Sequence, residues 1–322
     1  MQPFPLLLLL VAGLLTGSPG LLASPVGHPI RIAEHQQDGD RFMGIQLLGS
    51  LALRGDPALA ELSGLAWDTD EQHLLAVSDR GLLLHLQPRF ESGRLVGVDL
   101  LHTYPLRDRR GAPLEGSWSD AEGLTLEEAD NGIRGDSRLL VSFERQHRIE
   151  RYRDDGHWLA TLPLAQRLRH GGLRSNRGLE ALTLHPQLGV ISAPELPPPG
   201  QPHFLASSQG QVWEFAPSEA NGSVVGMETL PNGDLLLLER AYISIFSPWI
   251  ISLSRIPLAA LLNGQSRVDS ELAVRMDSSE GWLTQNMEGL ARHENKGFFM
   301  VSDDGNRPWA QTQLLYFRLL PR

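Results

Sequence analysis

A short hairpin recurs along the chain at a limited range of intervals, and no other feature restricts the fold as strongly. The clearest copy spans residues 120–145. It opens Asp120-Ala121-Glu122-Gly123-Leu124-Thr125, passes through a turn containing Asn131-Gly132 and Gly135-Asp136, and closes Leu139-Leu140-Val141-Ser142-Phe143-Glu144-Arg145. Both halves are apolar runs of strand length, and the residues between them tolerate the positive φ that tight turns require. Glu122 therefore starts one strand and Glu144 ends the next. The two ends of a hairpin lie on the same edge, so one hairpin brings two carboxylates to one rim. Looser copies carry Ser63-Gly64-Leu65 with Ser78-Asp79-Arg80, Leu179-Glu180-Ala181 with Pro194-Glu195, Val225-Gly226-Met227 with Leu238-Glu239-Arg240, and Glu288-Gly289-Leu290 with Ser302-Asp303-Asp304.

Successive copies are roughly 45 to 63 residues apart, the period of propeller blades rather than of helical solenoids, and four strands fit in each interval. The fold class expected is all-β, a β-propeller of six blades with five as the alternative. An apolar alternation over Ile45–Leu53 is free to pair with the final strand, Gln313–Leu319, and close the ring. A β-sandwich would show turns at similar spacing but would not repeat one hairpin at blade period. The abundance of Gly and Pro, 32 and 22 residues, suits this turn-rich class better than a helical one. Residues 194–202, rich in Pro, form a loop, and one short helix is expected within 256–262.

Two further properties narrow the function. The formal charge of -10 argues against nucleic acid as a partner, since phosphate binding needs a basic surface. Cysteine is absent, which removes disulfides, thiolate metal sites and a cysteine nucleophile. At the N-terminus an apolar run over residues 6–15 precedes small and turn residues, the pattern of a signal peptide (1–23) cleaved after Ala23. The run is too short to span a bilayer, and no cysteine follows it to carry a lipid. The expectation is a monomeric, periplasmic or secreted protein without stable membrane insertion, with one domain over residues 44–320.

The repeat gathers strand-opening Glu122, Glu180 and Glu288 and strand-closing Asp79, Glu144, Glu195, Glu239 and Asp303 at one end of the ring. A single pair of carboxylates about 4 Å apart costs roughly 4 kcal/mol at an effective dielectric near 20. Two kinds of compensator are available: a hard cation with oxygen ligands, and the arginines Arg80, Arg145 and Arg240 that follow three of the acids. A purely structural ring, in which each acid is answered by an arginine or a backbone amide of the next blade, satisfies the same pattern. No nucleophile elbow is present, and the histidines lack paired metal spacing. The tryptophans are scattered by blade as packing residues, except that Trp309 is placed to line the channel mouth.

The order and spacing of these motifs over nearly the whole chain resemble the phytase-like family, described by its esterase-like activity of phytase. The resemblance implies an exported β-propeller that hydrolyses esters or phosphoesters of small anionic substrates, with calcium as its cofactor in an acidic central channel. On the functional reading of the rim, Glu122, Glu180 and Glu288 are the catalytic candidates. Asp79, Glu144, Glu239, Asp303 and Asp304 are the metal ligands, and Arg80, Arg145, Arg240 and Arg307 hold the substrate. A non-catalytic propeller that binds a ligand or protein in the cell envelope is the alternative.

Overall fold

A computed structural model of the chain describes residues 24–242, 247–307 and 310–321. The expected signal peptide and Trp309 lie outside the described residues. The chain folds as five antiparallel sheets, the blades of a propeller. Blade 1 runs from the inside outward as Leu62–Asp68, His73–Ser78, Leu82–Glu91 and Arg94–Pro105. Blade 2 is Ala121–Glu127, Arg138–Phe143, Arg148–Arg153 and Trp158–Leu162. Blade 3 is Leu179–His185, Gly189–Pro194, His203–Ser207 and Val212–Phe215. Blade 4 is Gly222–Thr229, Leu235–Ala241, Ile250–Ile256 and Glu271–Asp277. Blade 5 is Asn286–His293, Gly297–Asp303, Gln313–Leu319 and Ile45–Leu53. Each innermost strand touches those of the two adjacent blades, so the ring is closed.

Five blades, not the favoured six, follow from where the N-terminal strand goes. Ile45–Leu53 pairs antiparallel with Gln313–Leu319 and becomes the fourth strand of blade 5, so among the described residues no strands remain for a sixth sheet. Ser24–Pro25 and Gly27–Pro29 add to the outer edges of blades 1 and 5, covering edges that would otherwise present unpaired backbone. The helix forms at Leu258–Leu262, where Leu261 O accepts from Trp213 Nε1 at 3.0 Å.

The second strand of each blade is covered on both faces by its neighbours, which is why its sequence is a nearly continuous apolar run instead of an alternation. Leu139, Leu140, Val141 and Phe143 are fully buried, as are Leu235 to Leu238. Side chains from adjacent blades form shared clusters: Leu75, Val77 and Leu83 of blade 1 pack with Leu139, Val141 and Tyr152 of blade 2. Trp67 stacks on Phe299 of blade 5 with ring centroids 5.9 Å apart.

Candidate functional site

The registers explain how the hairpins aim their carboxylates. In every blade the pairing of first and second strands shifts by one residue near the same end: at Ser63, at Glu122, at Glu180, at Val225 and at Glu288. These are β-bulges, which leave one residue unpaired, bend the strand and redirect a side chain. Sequence inspection identifies the glutamates but takes them for ordinary strand starts.

The small residue after each bulge is the other half of the motif. A Cβ on Gly123, Gly226 or Gly289 would lie 2.6 to 2.8 Å from the carbonyl oxygen of Glu180, Glu288 or Ser63 on the next blade, and one on Gly64 would collide with the Glu122 carbonyl. Only Ala181 departs from glycine at this step. Gly64→Ala is expected to destabilise the fold by roughly 1–3 kcal/mol through this backbone clash, measured as a lower urea midpoint. An unchanged midpoint would show that the blades slide to make room.

Just beyond the bulged pairing, the second strands contribute one residue each. Leu62 pairs with Ser78, Leu179 with Pro194, Val224 with Glu239 and Met287 with Ser302, and Ala121 pairs with Phe143. The residues that follow are Asp79, Glu195, Arg240, Asp303 and Glu144. The fifth position of this circle is therefore an arginine. Glu239 sits one residue earlier, in the slot of Ser78 and Phe143, and successive strand residues point to opposite faces. Its Oε2 accepts from Ser218 N at 2.6 Å and Ser218 Oγ at 2.8 Å, away from the circle. Register thus places Glu239 apart from the rim acids with which it was expected to group.

Arg240 is the main internal counter-charge. It is held by Glu288 and Asn286 through Nη1 and by Glu195 through Nη2 at 2.8 Å, and Arg177 also reaches Glu195 at 2.6 Å. Burial would lower its pKa, but Glu288, Glu195 and Glu180 together raise it. Arg145 Nε contacts Asp120 Oδ2 at 2.9 Å rather than Glu144. Arg80 turns outward and donates to Pro57 O at 2.8 Å, so it does not join the rim. Asp304 Oδ1 accepts from Glu61 N at 3.1 Å and Asn306 N at 2.9 Å, tying blade 5 to blade 1. Arg307 lies with Arg177 and Arg240 on the wall of a cavity of about 440 Å³ that Glu288, Asp303 and the stacked pair Tyr242 and Trp249 also line.

Two triads of carboxylates remain. Oxygens of Asp79, Asp120 and Glu122 lie within 4.8 Å of one another, and so do those of Glu144, Glu180 and Glu195. Asp79 accepts from Ser63 Oγ at 2.5 Å, and Glu144 accepts from Gly178 N at 3.3 Å. Glu122 and Glu180 are 7% and 6% exposed. Among the described residues neither side chain has a hydrogen-bond or ion-pair partner, and their oxygens are not fully closed off from solvent. Burial, then the charges of Glu180 and Asp79, pushes the Glu122 carboxyl far up; burial, then Glu195 and Glu288, does the same for Glu180. Asp79 is also well raised, by burial and then Glu288. Glu144 is pushed up to about 7 by burial and Asp120. Glu288 is likewise raised to about 7, burial and Asp303 outweighing the pull of Arg240.

Asp120, Arg177, Asn286 and Ser63 are ring members that the sequence reading did not assign. The signal for Asp120 was present: it stands two residues before Glu122, the same-face spacing of a strand.

The family model for phytase-like proteins, described as esterase-like activity of phytase, matches residues 57–306. The chain belongs to the phytase-like family. Its match runs from the start of blade 1 to the loop beyond Asp304, so it contains every ring residue described above. No curated protein matches the phytase-like chain significantly. Among solved structures it is similar to a protein of unknown function from Bacteroides caccae, at 13% identity and a TM-score of 0.33, covering 76% of this chain and 65% of that one. It is also similar to a gluconolactonase from Xanthomonas campestris, at 12% identity and a TM-score of 0.41 over 93% and 99% of the two chains. A virginiamycin B lyase from Staphylococcus aureus is 9% identical, with a TM-score of 0.38 over 92% and 96%. The chain thus spans less than two thirds of the Bacteroides protein. Likeness at this level does not extend to a shared reaction.

Proposed function

We propose that this phytase-like propeller hydrolyses phosphate or carboxylate esters of small anionic substrates at the carboxylate ring, assisted by a hard divalent cation, calcium. The observation that carries the reading is the pair of glutamates Glu122 and Glu180, which lack partners among the described residues and each stand inside a triad of carboxylates. Such groups suit a cation that takes several oxygen ligands, and a wholly structural ring would have paired them with arginines. Asp79, Asp120 and Glu122 would hold one ion and Glu144, Glu180 and Glu195 another. A bound cation of this kind polarises an ester oxygen and lowers the pKa of a coordinated water.

The chain's own residues bind and orient the substrate. Arg177, Arg240 and Arg307 stand in the neighbouring cavity beside Glu288, Asp303 and Asp304, and a planar guanidinium matches the carboxylate or phosphate oxygens of an ester. Arg240 contributes charge rather than a free fork, because Glu195 and Glu288 already hold it. Burial of the ring lowers the local dielectric and strengthens each of these contacts. The apolar run at residues 6–15 supports export to the periplasm or medium.

The test is release of phosphate from phytate, and of nitrophenol from phosphate and acyl esters, with added calcium and with a chelator. Turnover that needs calcium and falls at least a hundredfold in Glu180→Gln, roughly 2.7 kcal/mol of barrier, is expected. Absence of turnover on every ester, with no bound metal in the purified protein, would instead favour the non-catalytic binding propeller.

A further inference from the structure

A second cavity, of about 650 Å³, shares no residue with the carboxylate ring. It lies between the connection that leads into blade 2 and that blade's outer strands. Its volume falls in the range of small-molecule sites. The walls include Leu114, Trp118 and Trp158, and the charged pair Arg148 and Glu150 lies among its lining residues.

That pair is built rather than incidental. Arg148 and Glu150 are 8% and 9% exposed, and Arg148 Nε meets Glu150 Oε2 at 3.0 Å. The guanidinium lies 3.6 Å from the Phe143 ring centroid and donates through Nη2 to Trp118 O at 2.7 Å. Tyr152 OH donates to Glu150 Oε2 at 2.5 Å, which leaves Oε1 with one long contact, 3.3 Å from Thr161 Oγ1. A glutamate oxygen fixed in this way, with spare accepting capacity, is placed to take a hydrogen bond from a ligand hydroxyl.

Trp118 is 53% exposed, unlike the buried Trp67, Trp213 and Trp282 that pack the blades. The 3₁₀ turn Gly116–Trp118 holds its backbone while the Arg148 guanidinium sits 5.1 Å from its ring. An indole anchored at its backbone and left open at its ring offers a stacking surface.

Charge then selects the ligand. The cavity carries Arg109, Arg110 and Arg148 against Asp108, Glu115 and Glu150, an even balance, whereas the ring is strongly acidic. An ion gains little from a wall of no net charge. A neutral molecule with one apolar face and hydroxyls around its edge suits both the indole and the Glu150 and Thr161 oxygens. We infer that this cavity binds a neutral sugar ring, stacked on Trp118 and hydrogen-bonded to Glu150, independently of the ring chemistry.

Calorimetric titration of the full chain with cellobiose, maltose and diacetylchitobiose tests this. At least one should bind, with Kd weakened about tenfold or more by Trp118→Ala and by Glu150→Gln, and unchanged by Glu180→Gln at the ring. Trp118 is exposed enough that its truncation leaves the fold intact, which the melting temperature of the variant verifies. Failure of all three sugars to bind overturns the inference. So does binding insensitive to Trp118→Ala, or binding of a naphthalene sulfonate but of no sugar, which would mark a site for flat aromatic ligands.

Discussion

Arg240→Met is expected to destabilise the protein by about 3–5 kcal/mol, the usual cost of removing one partner from a buried ion pair. Arg240 fills the one position of the five-membered circle that is not an acid, and it contacts Glu195 and Glu288 from two adjacent blades. Without it Glu288, 8% exposed, keeps only Asn286 Nδ2 at 2.9 Å and a 3.4 Å contact from Ser63 Oγ. Glu195 retains Arg177. Urea unfolding at pH 8 measures the loss. At pH 5 the loss should shrink, because Glu288, already raised to about 7 by burial, is then protonated and no longer needs a counter-charge. Adding Glu288→Gln to Arg240→Met should recover part of the stability at pH 8. A pH-independent loss, with no recovery in the double variant, would mean that Arg240 acts through packing of its stem and not through charge.

The same residue shows what the sequence could and could not reveal. Glu122, Glu180 and Glu288 stand out because a bulge followed by a small residue leaves a local signature, acid then Gly or Ala, in three blades. Blade 4 has the bulge at Val225 and blade 1 at Ser63, so the architectural motif persists where its chemistry does not. Reading acid for acid then selects Glu239 in blade 4, when register selects Arg240. A one-residue choice on a strand changes the face, and only the pairing partner decides it. The blade count turned on a similar point. The N-terminal strand was recognisable, and so was its capacity to close the ring, but whether it completes blade 5 or starts its own depends on a pairing 261 residues away in the chain, such as Ala52 with Gln313. The strands His203–Ser207 and Ile250–Ile256 carry no acidic signature of this kind. Arg145 and Asp120 illustrate the remaining limit. Arg145 follows Glu144 in sequence, but its side chain crosses to Asp120 at the entrance of the partner strand.

In calcium-free buffer the protein should lose stability as the pH rises from about 5 to above 7, and calcium should restore it. The sign follows from linkage. Glu144 and Glu288 have folded-state values near 7 against 4.5 for an ordinary glutamate, and Glu122, Glu180 and Asp79 are pushed up as well. Between these limits the native state binds more protons than the unfolded chain, so their contribution is complete below the unfolded value and disappears as pH passes the folded one. For Glu144 alone the change is roughly 3 kcal/mol at most. A cation binds the deprotonated ring, so its effect should grow over the same pH window. At a hundred times its dissociation constant it contributes about 2.7 kcal/mol, or about 4–5 °C in melting temperature for a domain of this size. Glu180→Gln removes a carboxylate that burial and the charges of Glu195 and Glu288 disfavour, so it should raise the calcium-free melting temperature at pH 8 while abolishing much of the calcium response. That opposite pair of effects separates a cation site from a structural ring. In a structural ring the substitution would leave any calcium response unchanged, whereas in a cation site the response falls even though stability in chelator rises. Melting scans of both proteins at pH 5 and pH 8, with calcium and with chelator, decide between them. A wild-type melting temperature that rises with pH in chelator and ignores calcium would remove the basis for placing a cation among these carboxylates.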